Sequence, residues 1–113
     1  MKILIKNKET LIFNDFFFRC SIGKKGFSKN KVEGDLKTPR GTFSIGNLYF
    51  RKDRNKKPIT KIKCIPIKKN MGWCDDPTSQ NYNKLTMLPS PYNYEKLYRK
   101  QNTYDIILVL NYN

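Results

Sequence analysis

The chain has 113 residues, 23 Lys and Arg against 9 Asp and Glu, a formal net charge of +14, and no histidine. This length predicts a single domain, residues 1–113. Because histidine is absent, these residues cannot supply a Ser-His-Asp or Cys-His relay, an HExxH zinc site or an imidazole base. We expect no metal site and no cofactor.

The first forty residues predict short strands followed by a polar loop. Three β-favouring runs separated by turn residues indicate three strands, at 2–6, 10–13 and 16–22. The Asn14-Asp15 break between apolar runs is typical of a tight hairpin. Residues 23–40 contain three glycines, many lysines and Pro39, which together predict a long polar loop.

The middle of the chain alternates between predicted strands and turn-rich segments. Two further strands are predicted, at 41–50 and 59–67. Gly46 suggests a β-bulge in the first of them, and Pro66 places the second at a sheet edge or ends it there. Residues 68–90 are rich in turn signals and hold the single tryptophan, while 94–100 is the one plausible helical turn.

The last predicted strand, 104–110, ends in an unbroken apolar run, which predicts a strand buried on both faces. The chain stops three residues later, and its hydrophobic content of 38% is low even with six glycines added, against roughly 45–50% for globular domains. Both features predict a fragment of a longer reading frame. The alternatives are a small β domain whose last strand is central, and a degenerate protein that binds without catalysing.

The basic excess invites a nucleic-acid interpretation, but its distribution argues against one. Lysine outnumbers arginine, and the basic residues are scattered over predicted loops. They are not interleaved with aromatic residues on one strand face, as nucleic-acid binding folds require. We therefore expect no nucleic-acid partner, although a cationic surface favours anionic polymers in general.

The three cysteines, Cys20, Cys64 and Cys74, fit neither a disulfide framework nor a four-cysteine zinc site. Two of the cysteines could form a disulfide and leave the third as a free thiol, and the sequence does not indicate which two would pair. The apolar run at 1–6 is too short for a secretory signal, and the run at 106–110 is too short to cross a bilayer. We expect a monomer without a transmembrane segment, and no signal peptide is visible.

Two loop motifs and one strand motif are candidates for function. Residues 33–41 combine two glycines, Pro39 and a threonine, for which a polar hairpin loop is the simpler interpretation. In 71–77 the tryptophan lies beside glycine, cysteine and paired carboxylates, and Asn-Tyr-Asn follows at 81–83. That segment is either the wall of a site or a loop that its tryptophan anchors to the core. The third motif, 104–113, is most simply a core strand.

None of these motifs contains a convincing catalytic centre. Cys74 lies beside Asp75 and Asp76, whose negative charges disfavour the thiolate that a nucleophile needs. The adjacent carboxylates are also a weak glycosidase pair, because neighbouring residues rarely face one bond from opposite sides. Cys20 and Cys64 fall in strand patterns and are expected to be small buried groups. We therefore assign no catalytic residue.

In their residues and in their order along the chain, these motifs resemble the L,D-transpeptidase catalytic domain family, also called YkuD-like. Three blocks carry the resemblance: Glu-Gly-Asp, Lys-Thr-Pro and Gly-Thr-Phe within 33–43, Gly-Trp-Cys-Asp-Asp-Pro and Asn-Tyr-Asn within 72–83, and Tyr-Asp with Asn-Tyr-Asn within 104–113. The resemblance runs from about Phe18 to the last residue. It is closest to the bacterial branch that carries the GWCDDP segment.

The resemblance implies a mainly β fold, a mixed β sandwich or barrel-like arrangement that is incomplete at the C-terminus. It implies acyl transfer that forms or exchanges 3→3 cross-links in peptidoglycan, with a cysteine nucleophile, a histidine base and backbone N–H groups holding the oxyanion. In the family both catalytic residues lie C-terminal to the block matched by 104–113. No catalytic role therefore transfers to Cys74, and the chain alone is expected to be inactive.

The resemblance also implies a substrate and a location. The expected partners are the stem peptides of peptidoglycan, and the expected location is periplasmic or extracytoplasmic. The substrate-binding residues are expected in the first two blocks, at Lys37, Thr38, Arg40, Trp73, Asp75, Asp76, Tyr82 and Asn83. The alternative function is a non-catalytic basic module that binds an anionic polymer, either cell wall or nucleic acid.

Overall fold

A computed structural model describes residues 1–112 and shows a mainly β chain, as predicted. Over this range it contains eleven strands and a short 3₁₀ helix at Asn102–Tyr104. No helix among these residues has the length and apolarity needed to cross a bilayer. The chain divides into two compact units, Met1–Thr42 and Phe43–Asn113, called unit 1 and unit 2. The single-domain organisation stays a prediction.

Unit 1 begins with a three-stranded antiparallel meander. Its strands are β1 (Ile3–Ile5), β2 (Thr10–Phe13) and β3 (Phe16–Arg19), in that spatial order. Phe13 pairs with Phe16 across the Asn14-Asp15 turn, which confirms the predicted hairpin. Asn14 has a φ of 54°, a left-handed conformation that asparagine tolerates better than most residues.

The segment predicted as a long polar loop is folded back on itself. It contains a short parallel pair, β4 (Phe27–Ser28) and β5 (Thr38–Pro39), so the prediction of a loop without strands was wrong over these residues. Gly23 permits the close approach of the returning chain, because a Cβ there would clash with the backbone oxygen of Leu36. A larger residue at this position requires the backbone to move.

Unit 2 consists of two three-stranded sheets that share one core. Its strands are β6 (Ile45–Phe50), β7 (Cys64–Pro66), β8 (Met71–Cys74), β9 (Leu85–Met87), β10 (Tyr94–Lys96) and β11 (Ile106–Leu110). One sheet is mixed, in the order β11-β6-β7, and the other is antiparallel, in the order β10-β8-β9. The buried centre consists of Tyr49, Ile67, Met71 and Leu97. Side chains of both sheets meet there, and the sheets do not close into a barrel within residues 1–112.

Two local predictions in the mixed sheet are confirmed. Pro66 ends β7, which lies at a sheet edge, where a residue without a backbone N–H removes no ladder bond. Gly46 and Asn47 together lie opposite the single residue Val109, so β6 carries the expected bulge. A Cβ on Gly46 would lie 3.0 Å from Oδ1 of Asn111, which leaves little room for a larger residue.

The prediction that the last strand is buried on both faces was wrong. Within the described part of the chain, β11 pairs with β6 alone and lies at the edge of its sheet. Its first and last residues, Ile106 and Leu110, remain 52% and 48% exposed. An apolar run shows that a strand is favoured, but it does not determine how many neighbours that strand has.

The predicted helical turn at 94–100 was also wrong, because residues 94–96 form β10. Tyr94 and Glu95 pair with Cys74 and Trp73 of β8, and these cross-strand hydrogen bonds outweigh a weak local helix preference. The turn-rich segment 68–90 likewise contains β8 and β9, which the sequence pattern did not indicate.

Candidate functional site

Trp73 lies at the centre of β8, paired with Leu85 on one side and Glu95 on the other. Its ring packs edge-on against Tyr49, with centroids 6.4 Å apart and planes 74° apart. Its indole Nε1 donates a hydrogen bond of 3.0 Å to Oδ1 of Asn83. Trp73 therefore connects the core to the loop that follows β8, as expected of a loop anchor, and its role as the wall of a site stays a prediction.

The loop between β8 and β9, residues 75–84, is closed at its base by backbone hydrogen bonds. The N–H of Asn83 donates to the Cys74 oxygen over 2.8 Å, and the N–H of Cys74 donates to the Lys84 oxygen over 2.9 Å. Asn83 has a φ of 59°, which turns the chain into β9. Tyr82 is partly buried, and its N–H donates to the oxygen of Ser79. The loop thus has a defined shape.

Asp76 holds the turn at the start of this loop. Its Oδ1 accepts hydrogen bonds from the hydroxyl and the backbone N–H of Thr78, at 2.7 and 3.0 Å, and its Oδ2 accepts one from the N–H of Asn93 at 3.2 Å. These bonds, the Thr78 hydroxyl first, lower the pKa of Asp76 below its usual value. Both carboxylate oxygens therefore accept hydrogen bonds that hold the loop in shape. This confirms the turn indicated by Asp76-Pro77.

Asp75 differs from its neighbour because one of its oxygens has no partner. Its Oδ1 is shielded from solvent and accepts no hydrogen bond from any residue that the structure describes. Its backbone N–H donates to the Asn93 oxygen over 3.3 Å. A buried carboxylate oxygen without a donor is unfavourable, so this atom gains most from an added N–H or O–H group.

In unit 1, Asp35 organises the loop that carries the Lys-Thr-Pro motif. Its carboxylate accepts hydrogen bonds from the N–H of Val32 at 2.8 Å, the N–H of Lys37 at 2.9 Å and the ammonium of Lys31 at 3.0 Å. These bonds, that of Val32 first, lower the pKa of Asp35 to about 2. They also hold Leu36 at a φ of 60°, which is rare for a residue with a Cβ. Asp35 was absent from the predicted site, although an aspartate two residues before a tight turn is a known turn signal.

The other two predicted residues of this loop have different environments. The hydroxyl oxygen of Thr38 accepts a hydrogen bond of 2.7 Å from the N–H of Gly23, so Thr38 joins the two ends of the loop. The exposed guanidinium of Arg40 lies over the ring of Phe27, 5.4 Å from its centroid. Arg40 is thus an accessible cation of the motif.

The eight predicted substrate-binding residues fall into two groups. Unit 2 holds five of these residues, within 73–83, and a hydrogen bond joins the side chains of Trp73 and Asn83. Unit 1 holds the three within 37–40. The substrate-binding role of both groups stays a prediction.

The family model of the L,D-transpeptidase catalytic domain, YkuD, matches residues 2–108. The chain belongs to this family. The match begins well before Phe18, where the motifs suggested that the resemblance starts, and it includes both loops described above. No curated protein and no solved structure shows a significant match.

The cysteines of this L,D-transpeptidase domain are all free thiols. Cys74 is 2% exposed, on a strand that packs into the core of unit 2. A thiol in that position cannot approach a peptide stem unless β8 moves, so burial is a second argument against a catalytic role for it. Cys20 and Cys64 are partly buried. Among the described residues, no group of three or more His, Cys, Asp or Glu side chains could hold a metal ion.

Tyr104, at the end of the 3₁₀ helix, belongs to a cluster that the sequence did not predict. Its hydroxyl donates a hydrogen bond of 2.6 Å to Oε2 of Glu95, and the guanidinium of Arg99 lies 4.9 Å from its ring centroid. Burial, followed by the bond to Glu95, raises the pKa of Tyr104 to about 12, and the charge of Asp75 acts in the same direction. No sequence signal connects Tyr104 with Glu95, since the contact requires β10 to pair beside Trp73.

Proposed function

We propose that this protein is a peptidoglycan L,D-transpeptidase-like protein whose 113 residues bind stem peptides. The observation that supports this most strongly is the family match over residues 2–108, which spans both candidate loops. The family chemistry is acyl transfer through a cysteine nucleophile and a histidine base. Because the 113 residues include no histidine and Cys74 is buried, they are proposed to bind substrate without transferring acyl groups by themselves.

Asp75 is proposed to accept an N–H group of the stem peptide. Its Oδ1 accepts no hydrogen bond within residues 1–112, whereas both oxygens of the nearby Asp76 carboxylate accept hydrogen bonds from Thr78 and Asn93. Because Oδ1 is shielded from solvent, the 75–84 loop must shift on binding for a peptide N–H or ammonium to supply the missing hydrogen bond. Asp76 is proposed to affect binding only through the shape of the loop.

The other predicted residues of each unit are proposed to contribute to binding within that unit. Trp73, Tyr82 and Asn83 would present partly buried side chains next to Asp75, and such aromatic walls suit the aliphatic parts of a peptide. Arg40 and Lys37 would meet stem carboxylates, with Thr38 holding their loop in place. We further propose that the protein is a monomer and acts outside the cytoplasm, as expected for work on the cell wall.

Binding of soluble muropeptides, followed by Trp73 fluorescence, tests this proposal. Asp75→Asn should weaken binding about tenfold, because a neutral amide replaces a charged acceptor. Asp15→Asn is the matched control, since it removes the same charge at the exposed turn between β2 and β3 and should leave binding unchanged. No binding by the wild type, or an equal effect of both variants, would refute the assignment.

A non-catalytic module for anionic polymers is the second candidate, and the net charge of +14 favours it. A salt titration separates the two candidates, since neutralising phosphates gives a steep dependence of affinity on salt concentration. Tight binding of single-stranded DNA at physiological salt, together with no affinity for peptidoglycan, would favour this candidate. Binding of peptidoglycan without DNA would exclude the nucleic-acid form of this candidate, and loss of that binding in Asp75→Asn would then favour recognition of stem peptides over attraction by charge alone.

A further inference from the structure

A groove of about 440 Å³ opens on unit 2 and shares no lining residue with the 75–84 loop. Its lining consists of Lys52, Asp53, Pro66, Ile67, Lys68 and Tyr98. Ile67 is 4% exposed and belongs to the buried core, so it gives the groove a fixed apolar floor. The groove is shallow and widely open to solvent, so a ligand would lie on its surface and not inside an enclosed cavity.

The one carboxylate in the groove is already neutralised. Nε and Nη2 of Arg51 donate to the two oxygens of Asp53, at 2.9 and 2.8 Å, in a bidentate pair. The Arg51 hydrogen bonds come first among the causes that lower the pKa of Asp53, so the carboxylate stays ionised and paired. Asp53 therefore does not offset the lysines on the rim.

Two cations lie near the aromatic ring that lines the groove. The Arg51 guanidinium lies 3.6 Å from the centroid of the Tyr98 ring, and the Lys69 ammonium lies 6.0 Å from it. Within residues 1–112, neither Lys52 nor Lys68 forms an ion pair with an acidic side chain. The rim thus carries uncompensated positive charge above an apolar floor.

We propose that this groove binds a compact ligand that carries one oxyanion, a carboxylate or a phosphate, on an apolar or sugar body. The ammonium groups of Lys52 and Lys68 bind the oxyanion, and Pro66, Ile67 and Tyr98 cover the body. Lysines on an ordinary solvated face have no such buried floor beside them, and the floor gives the site a preference beyond charge alone. The inference does not rest on the proposed function, because it uses none of the residues assigned there.

Chemical-shift mapping on the full chain tests the inference with three probes. N-acetylmuramic acid carries a carboxylate, N-acetylglucosamine 1-phosphate carries a phosphate, and N-acetylglucosamine is the neutral control. We expect at least one charged probe to shift the Ile67 and Tyr98 resonances and to bind about tenfold or more tightly than the neutral sugar. Which charged probe binds shows which oxyanion the site prefers, and either result supports the site.

The variant Lys52→Gln/Lys68→Gln should weaken that binding about tenfold or more, because it removes both ammonium groups. The matched control Lys61→Gln/Lys63→Gln removes two exposed charges outside the groove and should bind as the wild type does. The inference is overturned if no charged probe shifts these resonances, if the neutral sugar binds equally well, or if both variants lose affinity equally. Muropeptide binding and its loss in Asp75→Asn would be unaffected by such a failure, which keeps the two tests separate.

Discussion

The indole N–H of Trp73 and the side-chain oxygen of Asn83 are joined by a hydrogen bond of 3.0 Å that links β8 to the end of the loop that follows it. Asn83 also turns the chain, with a φ of 59°, and its N–H closes the base of the loop on Cys74. One asparagine therefore performs both tasks, because its side chain accepts a hydrogen bond and its backbone tolerates the left-handed conformation.

Replacing Asn83 should separate these two contributions. Asn83→Ala should lower the free energy of unfolding by about 1–2 kcal/mol, about 1 from the lost hydrogen bond and the rest because alanine tolerates the left-handed conformation less well than asparagine. Asn83→Gly should cost about 1 kcal/mol, since only the bond is lost. Urea unfolding followed by the fluorescence of the single tryptophan measures both. The exposed Asn81→Ala, in the same loop, is the control, and a loss equal to that of Asn83→Ala would contradict the explanation.

Arg54 should be more important for the segment before β11 than its exposed position suggests. Its guanidinium donates to five oxygens, those of the Arg99, Lys100 and Gln101 backbones and of the Asn102 and Asp105 side chains. Arg54→Lys keeps the charge but loses the planar fork, and should cost about 1–2 kcal/mol.

The measurement for Arg54→Lys is amide exchange in residues 99–105, which should become faster. The control is Arg19→Lys, a like-for-like change at an exposed position of β3 where the structure describes no side-chain hydrogen bond. Unchanged protection of 99–105 in Arg54→Lys would show that these bonds do not order the segment.

The Tyr104–Glu95 pair predicts a loss of stability in alkali. Because the folded pKa of Tyr104 is raised from 10.0 to about 12, the folded state retains a proton that the unfolded state releases. Its contribution is present below pH 10 and is lost as the pH rises towards about 12. Glu95→Gln should lower the Tyr104 pKa, since it removes the carboxylate that penalises the phenolate.

Ultraviolet titration of the tyrosines measures this pKa. Among the seven tyrosines of the chain, the component that titrates last should disappear in Tyr104→Phe and move to lower pH in Glu95→Gln. Tyr92→Phe, at an exposed tyrosine, is the control and should leave that component in place. A Tyr104 that titrates with the bulk of the tyrosines would refute the effect of burial and pairing.

The Asp35 carboxylate predicts an acid-sensitive loop in unit 1. Its folded pKa of about 2 lies below the usual value of 3.8, so its contribution is present above about pH 4 and is lost as the pH falls towards 2. Asp35→Ala should remove this dependence and release the loop at neutral pH. The N–H groups of Val32 and Lys37 report the change, since both donate to this carboxylate and should exchange faster without it. The same exchange rates in wild type and variant at pH 6 would contradict the role.

The sequence by itself determined the elements whose signals are local. The Asn14-Asp15 hairpin, the Gly46 bulge and the edge position of Pro66 each depend on one or two residues with unusual backbone preferences, and each was confirmed. The GWCDDP and Lys-Thr-Pro motifs indicated the family, and the match of the family model to residues 2–108 confirms it. Such features can be recognised from sequence because neighbouring residues decide them.

Only the tertiary structure decided which segments pair and which atoms are left unpaired. Residues 94–96 are a strand because β8 lies beside them, and β11 is at an edge because only β6 pairs with it among the described residues. Three features of the site depend on distances between segments that are separated in the chain. These are the hydrogen bond from Asn93 to Asp76, the oxygen of Asp75 that has no partner, and the hydrogen bond between Tyr104 and Glu95. Local propensities are worth tenths of a kcal/mol per residue, so a few cross-strand hydrogen bonds and a shared core outweigh them.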